Sequence, residues 1–311
     1  MAALAIQTER LTRDFATVRA VDNLTLDVPA GIVFGFLGAN GAGKTTTIHL
    51  LLGLLEPTGG QANVLGLDTR TQGQRIREQT GALLEQAGLY ERLTAEENLR
   101  FYADVWRMSA TDREARVKEL LTHMDLWDRR TDRVGSWSRG MKQKLAIARV
   151  LLHRPKLIFL DEPTAGLDPV AAAALRDDLA ALAAREGVTV FLPTHTLPDA
   201  ERLCSLVGVI RQGKLLAVGS PDALRAQMGG PRVEIIGTNF GEPILAALRA
   251  RPDVRSVALE NDHLLLDLSE ADVRAAPLVS AIVAGGGQIE EVRRGKASLE
   301  EVFLTLMEDA R

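Results

Sequence analysis

The stretch GANGAGKTT, residues 38–46, decides the reading of this 311-residue chain. It fits G-x-x-x-x-G-K-[ST] and lies between an apolar run, residues 32–37, and a helix-like segment, residues 46–55. A strand running into a glycine-rich loop and then a helix is the context in which the pattern has meaning. The spacing has a physical cause. Gly38, Gly41 and Gly43 let successive backbone N–H groups turn inward around a β-phosphate, Lys44 reaches the β- and γ-oxygens, and Thr45 offers its hydroxyl to Mg²⁺. The whole loop, with Ala39, Asn40, Ala42 and Thr46, is therefore the expected nucleotide-binding segment.

Working outward, residues 157–160 (LIFL) read as a buried parallel strand that delivers Asp161 and Glu162 to its carboxyl end, where ligands bind in open α/β sheets. Adjacent carboxylates are costly there unless paired, and a Mg²⁺-nucleotide supplies the pairing, with Asp161 in the metal's shell and Glu162 aimed at a water. Residues 188–192 form a second buried strand that ends in Pro193-Thr194-His195, placing His195 at the same edge, as a donor to a γ-phosphate or as an ordinary hydrogen-bonded loop residue. Between these, SWSRGMKQKLAIARVLL, residues 136–152, is a polar turn feeding a helix. Ser138 and the N–H groups around Gly140 make either an anion-binding helix start or a plain N-cap. Phe15, between the strand-like stretches 4–12 and 20–28, can stack on a purine or belong to the core.

Residues 80–87 (TGALLEQA) read as a further strand-like piece ending at Glu85-Gln86. Residues 89–126 are helical by periodicity, with Thr94-x-x-Glu97 as a capping box, and begin an inserted helical block running to about 152. Ala165-Gly166-Leu167-Asp168-Pro169 is a turn before an Ala-rich helix, 170–185. Residues 207–211 and 214–218 form a hairpin across Gln212-Gly213, and Ser220-Pro221 starts the last helix of the first domain, 1–228. Gly229-Gly230-Pro231 is the best linker. Beyond it, 232–311 reads βαββαβ, a ferredoxin-like α+β module, and ends in a helix opened by a Ser298-to-Glu301 capping box, with Leu299, Val302, Phe303 and Leu306 on one face.

Composition narrows the function. A net charge of −4 argues against a protein that blankets nucleic acid, so no nucleic-acid partner is expected. The single cysteine, Cys204, cannot form an intramolecular disulfide and fits a reducing compartment. No signal-peptide core and no run of 18 apolar residues is present, so the chain is not expected to span a membrane itself.

Together these motifs resemble the ATP-binding subunit of an ATP-binding cassette (ABC) transporter, over residues 4 to about 225. GANGAGKTT resembles the Walker A loop, LIFLDE the Walker B strand, WSRGMKQ the family signature, AGLDP the D-loop, and Thr194-His195 the switch histidine, in the family's order. The resemblance implies a phosphate-loop NTPase fold with an inserted helical subdomain, ATP and Mg²⁺ as ligands, and Glu162, His195 and Lys44 as catalytic residues. It puts Phe15 in the adenine-stacking place, adds Ser138, Gly140 and Asp168 to the nucleotide contacts, and makes Thr45, Asp161 and Glu85 the metal residues. Glu85 stands where the family has glutamine, with Gln86 the alternative one position on. Arg139 replaces a usual second glycine of the signature, and Trp137 stands where leucine is common.

Such subunits work as head-to-tail pairs on an integral-membrane permease, at the cytoplasmic face of the cell membrane. This chain carries both halves of a site, so a homodimer would be complete. The tail is similar to the extension of bacterial exporter-type subunits whose permease is a separate chain and which move drugs or lipid-like molecules. The alternative, a soluble ABC ATPase acting in translation or resistance, would usually carry two cassettes, and one phosphate loop is present.

Overall fold

The computed structural model describes residues 3–84, 87–228, 231–269, 273–296 and 299–309. It divides into two compact units, Met1–Val218 and Gly219–Arg311.

The first unit opens with a long hairpin, β1 (Leu4–Phe15) and β2 (Val18–Pro29), whose bulged antiparallel register pairs Phe15 with Val18 at the tip. Phe15 is thus the last residue of a strand. β3 (Val33–Leu37) then delivers the phosphate loop to α1 (Lys44–Leu51). This helix starts two residues before the expected 46, because Gly43 caps it from a left-handed conformation, and it stops before 55, where Gly53 turns left-handed at φ 63°. Next come β4 (Gly59–Val64), β5 (Leu67–Asp68), α2 (Gly73–Gln79) and β6 (Thr80–Leu83). Leu83 ends the strand expected to reach 87; Glu85 and Gln86 lie outside the described residues.

The helical block comprises α3 (Ala95–Val105), α4 (Ala110–His123) and α5 (Arg139–Leu151). The periodic run 89–126 is therefore two helices. Arg107 turns left-handed at φ 53°, and Ser109 caps the second helix through the Asp112 N–H. The Thr94/Glu97 capping box is present in both directions. Continuing, β7 (Leu157–Leu160), α6 (Pro169–Glu186), β8 (Thr189–Thr194), α7 (Leu197–Leu203), β9 (Leu206–Arg211) and β10 (Lys214–Gly219) complete the unit. Gln212 and Gly213 both have positive φ, as a two-residue hairpin turn matched to strand twist requires.

Two sheets result, ordered β2-β1-β4-β5 and β10-β9-β3-β8-β7-β6. In the second, β6, β7, β8, β3 and β9 run parallel. Every residue of β7 and β8 is buried, as a sheet covered on both faces demands. Phe34, Phe36, Phe159 and Phe191 fill its centre, with Phe34 stacked on Phe191 at 5.4 Å between centroids. Burying each such ring contributes about 1.5–3 kcal/mol. Parallel strands place all their carboxyl ends on one edge, so the segments after β3, β7 and β8 meet there.

The second unit holds α8 (Pro221–Met228), β11 (Pro231–Thr238), α9 (Glu242–Arg249), β12 (Val254–Glu260), β13 (His263–Leu268), α10 (Ala275–Ala284), β14 (Gln288–Lys296) and α11 (Leu299–Asp309). Its antiparallel order, β12-β13-β11-β14, is that of a βαββαβ ferredoxin-like sheet. The helix expected to close the first domain is α8. It packs against α11 instead, which moves the division from 228 to Val218. Ser298, the expected cap of α11, and Gly229-Gly230 lie outside the described residues.

Candidate functional site

The loop between β3 and α1 needs glycine for steric reasons. A Cβ on Gly38 would lie 2.7 Å from the Ile210 carbonyl, and Gly43, at φ 107°, leaves no room beside the Ala20 carbonyl. Gly41 is also left-handed, at φ 78°. The loop is tied down from outside. Gly213 N–H donates to the Ala42 carbonyl at 2.9 Å, and Asp22 N–H to the Gly213 carbonyl at 2.9 Å. Its free amides thus form a preset cradle for an anion at a helix start.

Lys44 is 6% exposed. Its Nζ donates to the carbonyls of Gly38 (2.7 Å) and Ala39 (3.2 Å) and lies 3.8 Å from Glu162 Oε1. Burial lowers its pKa, opposed by the charges of Glu162 and Asp161, so the ammonium sits in a pocket that favours a further negative group. Next along α1, the Thr45 hydroxyl donates to Asp161 Oδ2 at 3.2 Å. A hydroxyl and a carboxylate side by side are hard oxygen donors of the kind Mg²⁺ takes, with phosphate oxygens and water completing its shell. Among the described residues no cluster of three His, Cys, Asp or Glu side chains is placed to hold a metal, so a cation here would depend on the nucleotide for ligands.

Glu162 follows β7 in a left-handed conformation, φ 47°. Its N–H donates to the Pro193 carbonyl of β8 at 3.0 Å, and its Oε1 is 2.7 Å from His195 Nδ1. The carboxylate is 27% and the imidazole 50% exposed, so both reach solvent at the sheet edge. A carboxylate so oriented can take a proton from a water, and the imidazole can hold its direction.

These residues line a cleft of about 620 Å³, with Asn40, Gly41, Gly43, Lys44, Thr45, Thr46, Asp161 and Glu162 in its wall. Phe15, Ser138, Gly140, Asp168 and His195 are not part of that wall. Phe15 is half exposed beneath the Arg13 guanidinium, 4.7 Å from the ring centre, while Val18 opposite it does line the cleft. Ser138 caps α5 by accepting from Met141 N–H, the plain capping reading, and Asp168 caps α6 by accepting from Val170 and Ala171. Arg139 and Gln143 of α5 line the cleft, and sequence reading had not named them as site residues. The Arg139 guanidinium lies against Gly166, where a Cβ would collide with it. Its oddity in the signature was the one available sign.

A phosphate loop, an acidic strand end carrying Asp161 and Glu162, and a parallel sheet between them define a phosphate-loop nucleoside triphosphatase. Residues 21–165 match the ABC transporter family, and 219–307 match the C-terminal domain of DrrA1-3-like ATP-binding proteins. The chain is 35% identical to the daunorubicin resistance ATP-binding protein DrrA3 of Streptomyces coeruleorubidus, over 100% of this chain and 98% of that one. It is 36% identical to the Nod factor export ATP-binding protein I of Rhizobium johnstonii, over 98% and 96%. A solved ATP-binding subunit of an ABC transporter superposes with a TM-score of 0.63 at 33% identity, covering 72% of this chain and 92% of that one. The chain belongs to the ATP-binding subunits of ABC transporters: it is an ATP-hydrolysing subunit of an export-type transporter. No helix among the described residues is long and apolar enough to cross a membrane.

Proposed function

We propose that this chain hydrolyses MgATP at the membrane surface to drive outward movement of an amphipathic, drug-like or lipid-like molecule through a separate permease. The substrate class rests on relatives named for daunorubicin resistance and Nod factor export. The observation that carries the chemistry is the Glu162 carboxylate, 2.7 Å from His195 and 3.8 Å from Lys44, at the mouth of the phosphate loop. Lys44 exchanges its loop carbonyls for β- and γ-phosphate oxygens, Thr45 and Asp161 would hold Mg²⁺, and Glu162 orients and deprotonates the attacking water. Bound Mg²⁺ would neutralise charge developing on the phosphates. His195 fixes Glu162 and donates toward the γ-phosphate. Phe15 stacks on the adenine from the hairpin tip beside Val18.

Two copies pair head to tail, so that Ser138, Gly140 and Asp168 of one face the nucleotide on the other's loop. Sedimentation of Glu162→Gln with MgATP should show a dimer that reverts to monomer when nucleotide is withdrawn; a monomer at every ATP concentration would overturn the pairing. Co-purification with a polytopic subunit checks the permease. Glu85 is the proposed link from nucleotide to that partner. Glu85→Ala should alter the Mg²⁺ dependence of hydrolysis while Gln86→Ala does not, and the reverse result would hand the role to Gln86.

A further inference from the structure

Asp199 is a carboxylate with no exposed surface, in the first turn of a short helix that plays no part in the cleft. Removing a carboxylate from water is costly unless it is paired and hydrogen-bonded. Both of its oxygens are used. The Thr164 hydroxyl donates to Oδ2 at 2.5 Å, and Arg176 Nη1 donates to Oδ1 at 2.7 Å. Asp199 and its two partners come from three segments, each lying next to a residue expected at the site. Thr164 lies in the turn two residues past Glu162, Arg176 lies on α6, which Asp168 caps, and Asp199 lies on α7, four residues past His195.

The backbone of Glu162 makes this connection matter. A non-glycine residue keeps φ near 47° only where its surroundings over-determine it. Two ties do so. Glu162 N–H is held by the Pro193 carbonyl at the end of β8, and two residues later Thr164 is held by Asp199, on the helix that leaves the same strand. The turn after Glu162 and the segment carrying His195 are therefore joined on both sides of the 2.7 Å contact between their side chains.

We propose that Asp199, acting through Thr164 and Arg176, is the positioning residue of the hydrolytic centre: a buried carboxylate that locks the turn after Glu162 to the helix after His195. It touches neither nucleotide nor water, and the proposal rests on the reading of Glu162 as the residue that activates water.

The test uses Thr164→Val in the full-length chain. This change removes the hydroxyl at nearly constant volume and leaves the Asp199–Arg176 pair intact, so the buried charge stays compensated. Thr164→Val should lower kcat about tenfold, with the KM for ATP held within about twofold, because the phosphate loop is untouched. Thr164→Ser, which keeps the hydroxyl, should restore kcat to within about twofold of the parent. In a His195→Ala background, Thr164→Val should lower kcat by less than about twofold further, since the pair it positions is already broken. An unchanged kcat in Thr164→Val, or the same loss in both backgrounds, overturns the proposal. If the parent hydrolyses ATP normally and Thr164→Val is silent, the positioning role alone fails. If Glu162→Gln also hydrolyses normally, the reading of Glu162 falls, and this proposal with it.

Discussion

In the first unit, β7 and β8 are buried at every residue, whereas in the second, β13 alternates half-buried and buried positions along its length. The face of the second sheet away from its core carries polar pairs: an ion pair of Arg232 with Asp267 at 2.6 Å, and a hydrogen bond between His263 Nδ1 and Glu234 Oε1 at 2.7 Å. A parallel sheet sealed on both faces has its strand ends left for chemistry, and there the loop, the carboxylates and the histidine collect. The antiparallel sheet alternates core and polar positions, with Arg232 reaching Glu301 of α11 as well as Asp267, and its described residues bring together no phosphate loop or catalytic pair. The difference assigns catalysis to the first unit and leaves the second free to be changed.

The sharpest way to break that assignment is Glu162→Gln, which should lower kcat by roughly a hundredfold or more while ATP still binds. Turnover within a fewfold of the parent would move the water-activating role elsewhere. Lys44→Ala should weaken ATP binding itself, on the order of tenfold to a hundredfold in Kd, because it removes charge-assisted hydrogen bonds to two phosphates. Equal affinities by calorimetry would contradict this.

A subtler probe lies inside the first unit. His153 stacks on Trp106 with centroids 3.8 Å apart, and its Nε2 meets the Thr80 carbonyl at 3.0 Å. Burial holds its pKa below the usual histidine value, outweighing that hydrogen bond. Below a pH of about 6.5 the unfolded chain therefore binds a proton that the folded chain resists. The stability due to neutral His153 is complete above that pH and declines as pH falls through it. The drop in melting temperature between pH 7.5 and 5.5 should be smaller in His153→Gln than in the parent; an equal drop removes His153 from the pH response. The smallest effect belongs to the second unit. A chain ending at Val218 should fold and bind ATP within about twofold of the full chain, and an insoluble or nucleotide-blind product would show that the two units share a core.

Much of the first unit was legible because its signals are local. The phosphate loop, the strand 157–160, the Thr94/Glu97 capping box and the Gln212-Gly213 turn each depend on residues a few positions apart. What was missed depends on partners far along the chain. Ser220-Pro221 announces a helix but not the core it joins, so local signals attach α8 to the first unit while its contacts with α11 attach it to the second. The periodicity of 89–126 hid a break because Arg107, a residue that rarely turns left-handed, makes it. The Asp199 cluster could not be read at all, since Thr164, Arg176 and Asp199 are 12 to 35 residues apart and of types that mostly face water.

The Lys44 ammonium already lies within the loop, held by two neutral carbonyls. Its separation from bulk water is incurred when the chain folds, not when the ligand arrives. Nucleotide binding is then an exchange of weak acceptors for strong ones around an ammonium already desolvated, and the gain returns to the folded state. At a hundred times its Kd, ATP should raise unfolding free energy by about 2.7 kcal/mol. The nucleotide thereby becomes a structural component of the subunit, and a cell depleted of ATP would hold a less durable pool of it.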